Sequence, residues 1–125
     1  MREIIAGISH IDSAELQLIL QNPDNKTLII DVREPGEYIA GHIPGIPLIP
    51  MNDIPDYVQE LDADREYIFV CRSGGRSYEV ARFLKHNGFE KVHNFYGGML
   101  SWSYEVTEGP EKIIQQFDPA LLERN

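Results

Sequence analysis

A single cysteine stands in this chain of 125 residues, and its neighbours are of the kinds that activate a thiol. Cys71 follows the apolar run Tyr67-Ile68-Phe69-Val70 and opens the segment Cys71-Arg72-Ser73-Gly74-Gly75-Arg76-Ser77, beyond which Val80, Phe83 and Leu84 recur at helical spacing. Strand, glycine turn and helix in that order put the cysteine outside the carboxyl end of a strand, where open α/β sheets bind ligands. Gly74 and Gly75 permit backbone conformations closed to other residues, so successive N–H groups can converge on one point as an anion-binding nest above a helix starting near Ser77. A thiolate is itself an anion. The nest, the positive helix end, Arg72 and Arg76 are expected to lower the pKa of Cys71 and keep it nucleophilic at neutral pH. A buried, inert strand-end cysteine is the alternative, since free cysteines are usually buried. The adjoining residues of matching chemistry favour the reactive thiol.

Charge distribution supports the same site. Residues 65–91 hold six basic side chains (Arg65, Arg72, Arg76, Arg82, Lys85, Lys91) against three acidic ones, in a chain whose formal charge is −9. Arg82 and Lys85 fit the solvated face of their helix, whereas Arg72 and Arg76 lie inside the loop. A positive mouth on an acidic body concentrates small anions and discourages nucleic acid and anionic membranes. Loop length bears on which anion. Cysteine-dependent phosphatases place one residue more between nucleophile and arginine, enough backbone to wrap a phosphate ester. Here four residues, Arg72 to Gly75, separate Cys71 from Arg76. The tighter ring suits the outer sulfur of a persulfide, which can accept the same N–H donors.

The elements that must hold this loop follow from local patterning. Asp12-Ser13-Ala14-Glu15 starts a helix over about 13–21, with Leu16, Ile19 and Leu20 on its apolar face. Thr27-Leu28-Ile29-Ile30, stopped by Asp31, and Tyr67 to Val70 are short apolar runs of the buried parallel type; Lys91 to Phe95 adds another. Ile46 to Pro50 can supply only a short strand among its prolines, and Ile54, Val58 and Leu61 give helical spacing. Gly88 marks the end of the helix after Cys71. Strands alternating with helices of about ten residues predict a parallel α/β sheet with right-handed crossovers. After Gly109-Pro110, Ile113, Ile114 and Phe117 offer an apolar face and Asp118-Pro119 a helix start, predicting a C-terminal helix that covers its own sheet.

Composition near the globular average and 42% hydrophobic residues predict one domain with an adequate core. A lone cysteine cannot form an internal disulfide, and His10, His42, His86 and His93 are scattered without metal-ligand spacing. Neither metal nor cofactor is expected. The N-terminus lacks an apolar signal core, and no run approaches the roughly 20 apolar residues of a membrane span. The cytoplasm is the expected compartment.

Other candidate residues read as support. His42, in Gly41-His42-Ile43-Pro44-Gly45, is expected to hydrogen-bond structurally, because a self-activated thiolate needs no base. Asp31 ends a buried strand and is expected to satisfy loop N–H groups or pair with an arginine, with Arg33 at hand. Tyr96 and Trp102, flanking Gly97-Gly98, read as core packing, and Glu37 and His93 as solvated surface.

Taken together, the ordered motifs resemble the single-domain rhodaneses, a sulfurtransferase family, over roughly residues 5–105. They are Leu28-Ile29-Ile30-Asp31-Val32-Arg33-Glu34, Glu37-Tyr38 before Gly41 to Gly45, the loop Cys71 to Ser77, and Tyr96-Gly97-Gly98 with Trp102. Ile46 and Leu48 depart from the small residue and Asn usual there. The resemblance implies an α/β sandwich around a five-stranded parallel sheet, with helices on both faces, taken to span residues 1–109; the tail at 110–125, expected to be helical from its own residues, exceeds the usual domain end. It also implies Cys71 as the persulfide-carrying nucleophile, Arg72, Ser73, Gly74, Gly75 and Arg76 as the substrate cradle, and Asp31, Arg33 and Ser77 as supports. The expected activity moves a sulfane sulfur from thiosulfate, a persulfide or a polysulfide to an external thiol, cyanide or an acceptor protein. A noncatalytic interaction module and a cysteine phosphatase or arsenate reductase are the alternatives.

Overall fold

The computed structural model describes residues 3–5 and 7–124. Its strands, β1 (Glu3–Ile5), β2 (Ile8–Ile11), β3 (Leu28–Asp31), β4 (Tyr67–Val70) and β5 (Val92–Phe95), form one sheet in the order β1-β2-β5-β4-β3. The helices are α1 (Ser13–Gln21), α2 (Pro35–Ala40), α3 (Ile54–Tyr57), α4 (Gly75–Lys85) and α5 (Gly98–Ser101), with 3₁₀ turns at Met51–Asp53 and Pro119–Leu122.

Every residue of β3, β4 and β5 is buried, as parallel strands covered on both faces must be. Successive side chains of a strand enter opposite layers. Leu28, Ile30, Tyr67 and Phe69 join Val80 and Leu84 of α4 in one core, while Ile29, Ile68 and Val70 join Leu16 and Ile19 of α1 in the other. Asp12 caps α1, its carboxylate accepting the Glu15 N–H at 2.9 Å. Helix α4 ends as Gly88 foretells: the Gly88 N–H reaches the Lys85 carbonyl and the Phe89 N–H the Leu84 carbonyl, satisfying the last turn.

The sheet is mostly parallel rather than wholly so. β1 runs antiparallel to β2 because only two residues separate them, far too few for the crossover that a parallel pair requires. Ile46 to Pro50 forms single bridges through Leu48 instead of a full strand, since Pro47 and Pro50 have no N–H to give. The helix expected from Ile54 is a single turn preceded by a 3₁₀ turn, and it relaxes into irregular turns before buried Leu61.

The segment after Gly109 is not helical as expected. Leu48 N–H donates to the Lys112 carbonyl at 2.8 Å and Ile114 N–H to the Leu48 carbonyl at 3.0 Å, so this stretch pairs alongside Leu48 in strand-like fashion. Bridge pairing satisfies the backbone that Leu48 exposes, a demand the apolar spacing of the tail does not reveal. Asp118 does cap a turn, through the Ala120 N–H, but it is the 3₁₀ turn at Pro119–Leu122. Ile114 and Leu122 are buried in the core that also holds Val80 of α4. Leu122→Ala is therefore expected to destabilise the fold by about 2–5 kcal/mol in a urea titration; a change within experimental error would mean that the tail is a loose appendage.

Candidate active site

Cys71 follows β4 directly and is 0% exposed. Its Sγ accepts the Gly74 N–H at 3.1 Å and lies 3.2 Å from Ser77 Oγ. Burial alone pushes the thiol pKa up, but the Ser77 hydroxyl and the N–H groups of Ser77, Gly74 and Ser73 outweigh it, and the net shift is downward. Backbone N–H groups and a hydroxyl therefore converge on the sulfur. Gly74 caps α4 with φ of 98°, a left-handed conformation that only glycine adopts without strain. Gly75 is instead the first residue of α4 and uses no such freedom, so the helix begins two residues before Ser77. An early helix start aims its first N–H groups at the sulfur.

Two neighbouring elements hold this loop from behind. Asn94 of β5 donates through Nδ2 to the Gly74 carbonyl at 3.1 Å, while its Oδ1 accepts from Ser77 Oγ at 2.5 Å. The Ser77 hydroxyl has one proton and two acceptors in reach, Asn94 Oδ1 and Cys71 Sγ. At the start of α5, Met99 N–H donates to the Cys71 carbonyl at 2.8 Å and Leu100 N–H to the Arg72 carbonyl at 3.0 Å. Gly98 makes that approach possible, since a Cβ there would lie 2.5 Å from both carbonyl oxygens. Asn94 escapes sequence reasoning because it reads as one more residue of a buried strand. Gly97-Gly98 is visible in the sequence, but not the backbone contact that demands it.

The cations around the loop are mostly paired. Arg76 makes a two-pronged ion pair with Glu37, at 2.7 and 2.9 Å. The Arg76 guanidinium holds the Glu37 carboxyl down at about 2, well below its ordinary range. Glu37 is thus no bare surface residue, because α2 brings it against the first turn of α4 from far away in sequence. Arg33 pairs with Asp31, Nη2 to Oδ2 at 2.8 Å, and also donates to the Gly41 carbonyl. The two support each other and α2 rather than hydrogen-bonding the loop. Arg72 is exposed and makes no ion pair among the described residues.

His42 is fully buried with Tyr38 O at 2.8 Å and Glu111 Oε1 at 2.9 Å, the structural role expected of it. His93 is buried and 2.6 Å from Glu66, so it too departs from the expected solvated surface. Trp102 packs edge-on against Phe95, but Tyr96 is 61% exposed and not core. Strand β5 ends before Tyr96, which turns outward and joins Ile5, His10, Tyr78, Asn94 and the loop residues Ser73 to Gly75 in lining an open cleft of about 330 Å³. No described helix is long and apolar enough to cross a membrane, and no metal-binding group of His, Cys, Asp and Glu occurs among the described residues.

Comparison with known proteins bears on these features. Residues 12–105 match the family model described as "Rhodanese-like domain". The Bacillus subtilis protein YtwF is 43% identical over 99 residues, spanning 79% of this chain and 94% of its own. Thiosulfate sulfurtransferase GlpE of Pseudoalteromonas translucida is 34% identical over 106 residues, spanning 85% and 99%. Among solved structures, a rhodanese-like domain protein from Staphylococcus aureus superposes with a TM-score of 0.70 at 36% identity, covering 77% of this chain and 92% of that one.

Two substitutions test the geometry directly. Ser77→Ala removes a hydroxyl that favours the thiolate, so the pH midpoint of Cys71 alkylation by iodoacetamide is expected to rise and the rate at pH 7 to fall several-fold, with the two proteins converging at high pH where both thiols are ionised. An unmoved midpoint would remove Ser77 from the site. Gly98→Ala is expected to displace the loop, read as lost midpoint depression in the same titration while circular dichroism remains native.

Proposed function

The chain belongs to the rhodanese-like domain family, and from that premise we propose that it is a sulfurtransferase in which Cys71 carries a sulfane sulfur, as a persulfide, from a small donor to an external acceptor. The observation that supports this best is a buried sulfur facing the N–H groups of Ser73, Gly74 and Ser77 together with the Ser77 hydroxyl. Donors so fixed need no rearrangement when charge moves onto a second sulfur just beyond Sγ.

In the first half-reaction the Cys71 thiolate attacks the outer sulfur of the donor. The Sγ–S bond forms as the donor's own bond to that sulfur breaks, and the leaving group departs with the electron pair: sulfite from thiosulfate, a thiolate from an organic persulfide. In the second, an acceptor thiol or cyanide attacks the outer sulfur and Cys71 leaves as thiolate. The 125 residues hold no second cysteine, so the acceptor is external to them: a small thiol, cyanide or a cysteine of a partner protein. Arg72, without an ion pair among the described residues, meets the donor; Ser73, Gly74 and Gly75 supply the rim; Arg76 fixes the loop against α2. Asp31 and Arg33 act at one remove, through the charges they place near Arg76 and Glu37. A reducing compartment such as the cytoplasm keeps the thiol available.

Intact mass measured after treatment with thiosulfate and, separately, inorganic polysulfide tests this reading. The wild type is expected to gain the mass of a single sulfur atom and to release it as thiocyanate on addition of cyanide, while Cys71→Ser gains nothing. No gain from either donor would favour a noncatalytic binding module.

A further inference from the structure

Of the arginines in the loop and the one whose charge reaches Glu37, two are already ion-paired. Arg33 is bound to Asp31 and Arg76 to Glu37, which leaves Arg72 as the one loop cation without an ion pair among the described residues. The Glu37–Arg76 pair is two-pronged, with each side chain about two-thirds shielded from solvent, at 31% and 33% exposure. Attack of the thiolate on dianionic thiosulfate would gather three negative charges beside Arg72. Attack on the protonated persulfide of an organic thiol, R–S–SH, gathers only one. On the other flank of the loop, Ile5, Tyr78 and Tyr96 line a mainly apolar cleft together with His10, Asn94 and the loop residues Ser73 to Gly75. An inorganic anion has no use for such a surface; a carbon chain does.

We propose that the site is built for the protonated persulfide of an organic thiol and discriminates against thiosulfate, with Glu37 as the specificity-determining residue and the Ile5–Tyr78–Tyr96 cleft as the seat of the donor's carbon chain. This rests on the Cys71 persulfide reading above. The step balances without any oxidant or reductant. Cys71 Sγ attacks the outer sulfur, the Sγ–S bond forms as the donor's S–S bond breaks, and the proton stays on the transferred sulfur. The electron pair leaves with R–S⁻, whose charge Arg72 meets. Run in reverse, the same cleft receives an acceptor thiolate.

The test is single-turnover loading of Cys71 in the full chain, followed by intact mass, with thiosulfate, methyl hydropersulfide and benzyl hydropersulfide as donors. Intrinsic reactivity differs among the three, so ratios between variants carry the result. Glu37→Gln frees Arg76 and is expected to raise the thiosulfate-to-benzyl ratio about tenfold; Arg76→Gln leaves the Glu37 charge uncompensated and is expected to lower it by a similar factor. Tyr96→Ala, at an exposed position that leaves the core intact, is expected to lower the benzyl-to-methyl ratio about tenfold. The opposite signs at Glu37 and Arg76 separate charge selection from general damage, and the Tyr96 arm reads the cleft even where a charge variant folds poorly. Ratios unchanged from wild type in all three variants overturn the proposal. Loading by no donor at all overturns instead the Cys71 persulfide on which it rests.

Discussion

A sulfur that is fully buried, yet whose thiol pKa is held below its ordinary value, is the feature around which this domain is organised. Burial opposes the charge, so the donors that stabilise it have to be in place before it forms: the Ser77 hydroxyl and the backbone N–H groups of Ser77, Gly74 and Ser73. Converging N–H groups within one short loop requires a reversal of chain direction immediately after a strand. The left-handed Gly74 supplies it, and the early start of α4 at Gly75 then turns its own unsatisfied N–H groups toward the sulfur.

Such a loop cannot hold itself. Its outward-facing carbonyls need partners, and these come from β5 and the chain just beyond it: Asn94 of β5 takes the Gly74 carbonyl, and the first N–H groups of α5 take those of Cys71 and Arg72. The parallel register of β4 with β5 brings these groups alongside the loop, Phe69 pairing with Asn94. The two cores, one on each face of the sheet, make that register rigid, since a slip by one residue would exchange the layers into which every side chain points. Packing far from the sulfur is in this way a condition of its reactivity.

The chemistry was legible in the sequence where it is local. Cys71, the glycine turn and the helix that follows lie within one short stretch, and residue type alone indicates what they do together. The buried strands were legible too, because continuous apolar runs such as Tyr67 to Val70 have few other uses. What escaped is whatever depends on long-range approach. Glu37 meets Arg76 across thirty-nine positions, and Asn94 meets Ser77 across seventeen. Neither residue carries a local sign of its partner. The tail failed for a related reason: its apolar spacing suited a helix, but the unpaired backbone of Leu48 drew it into an extended pairing instead. Local propensity yields when a tertiary partner is offered.

The neutralised arginines raise a question that the fold answers in chemical terms. A loop with two unpaired guanidinium groups would stabilise the thiolate further, but a thiolate made too stable is a poorer nucleophile, since intrinsic reactivity toward sulfur falls as the pKa falls. Binding Arg76 to Glu37 makes the guanidinium a tie between α2 and α4 and sets a carboxylate against its charge. The N–H groups do the remaining work at short range and with fixed direction, which favours charge at one point rather than any anion nearby. Selectivity for where charge sits, rather than strength of attraction, is what donors fixed at short range provide.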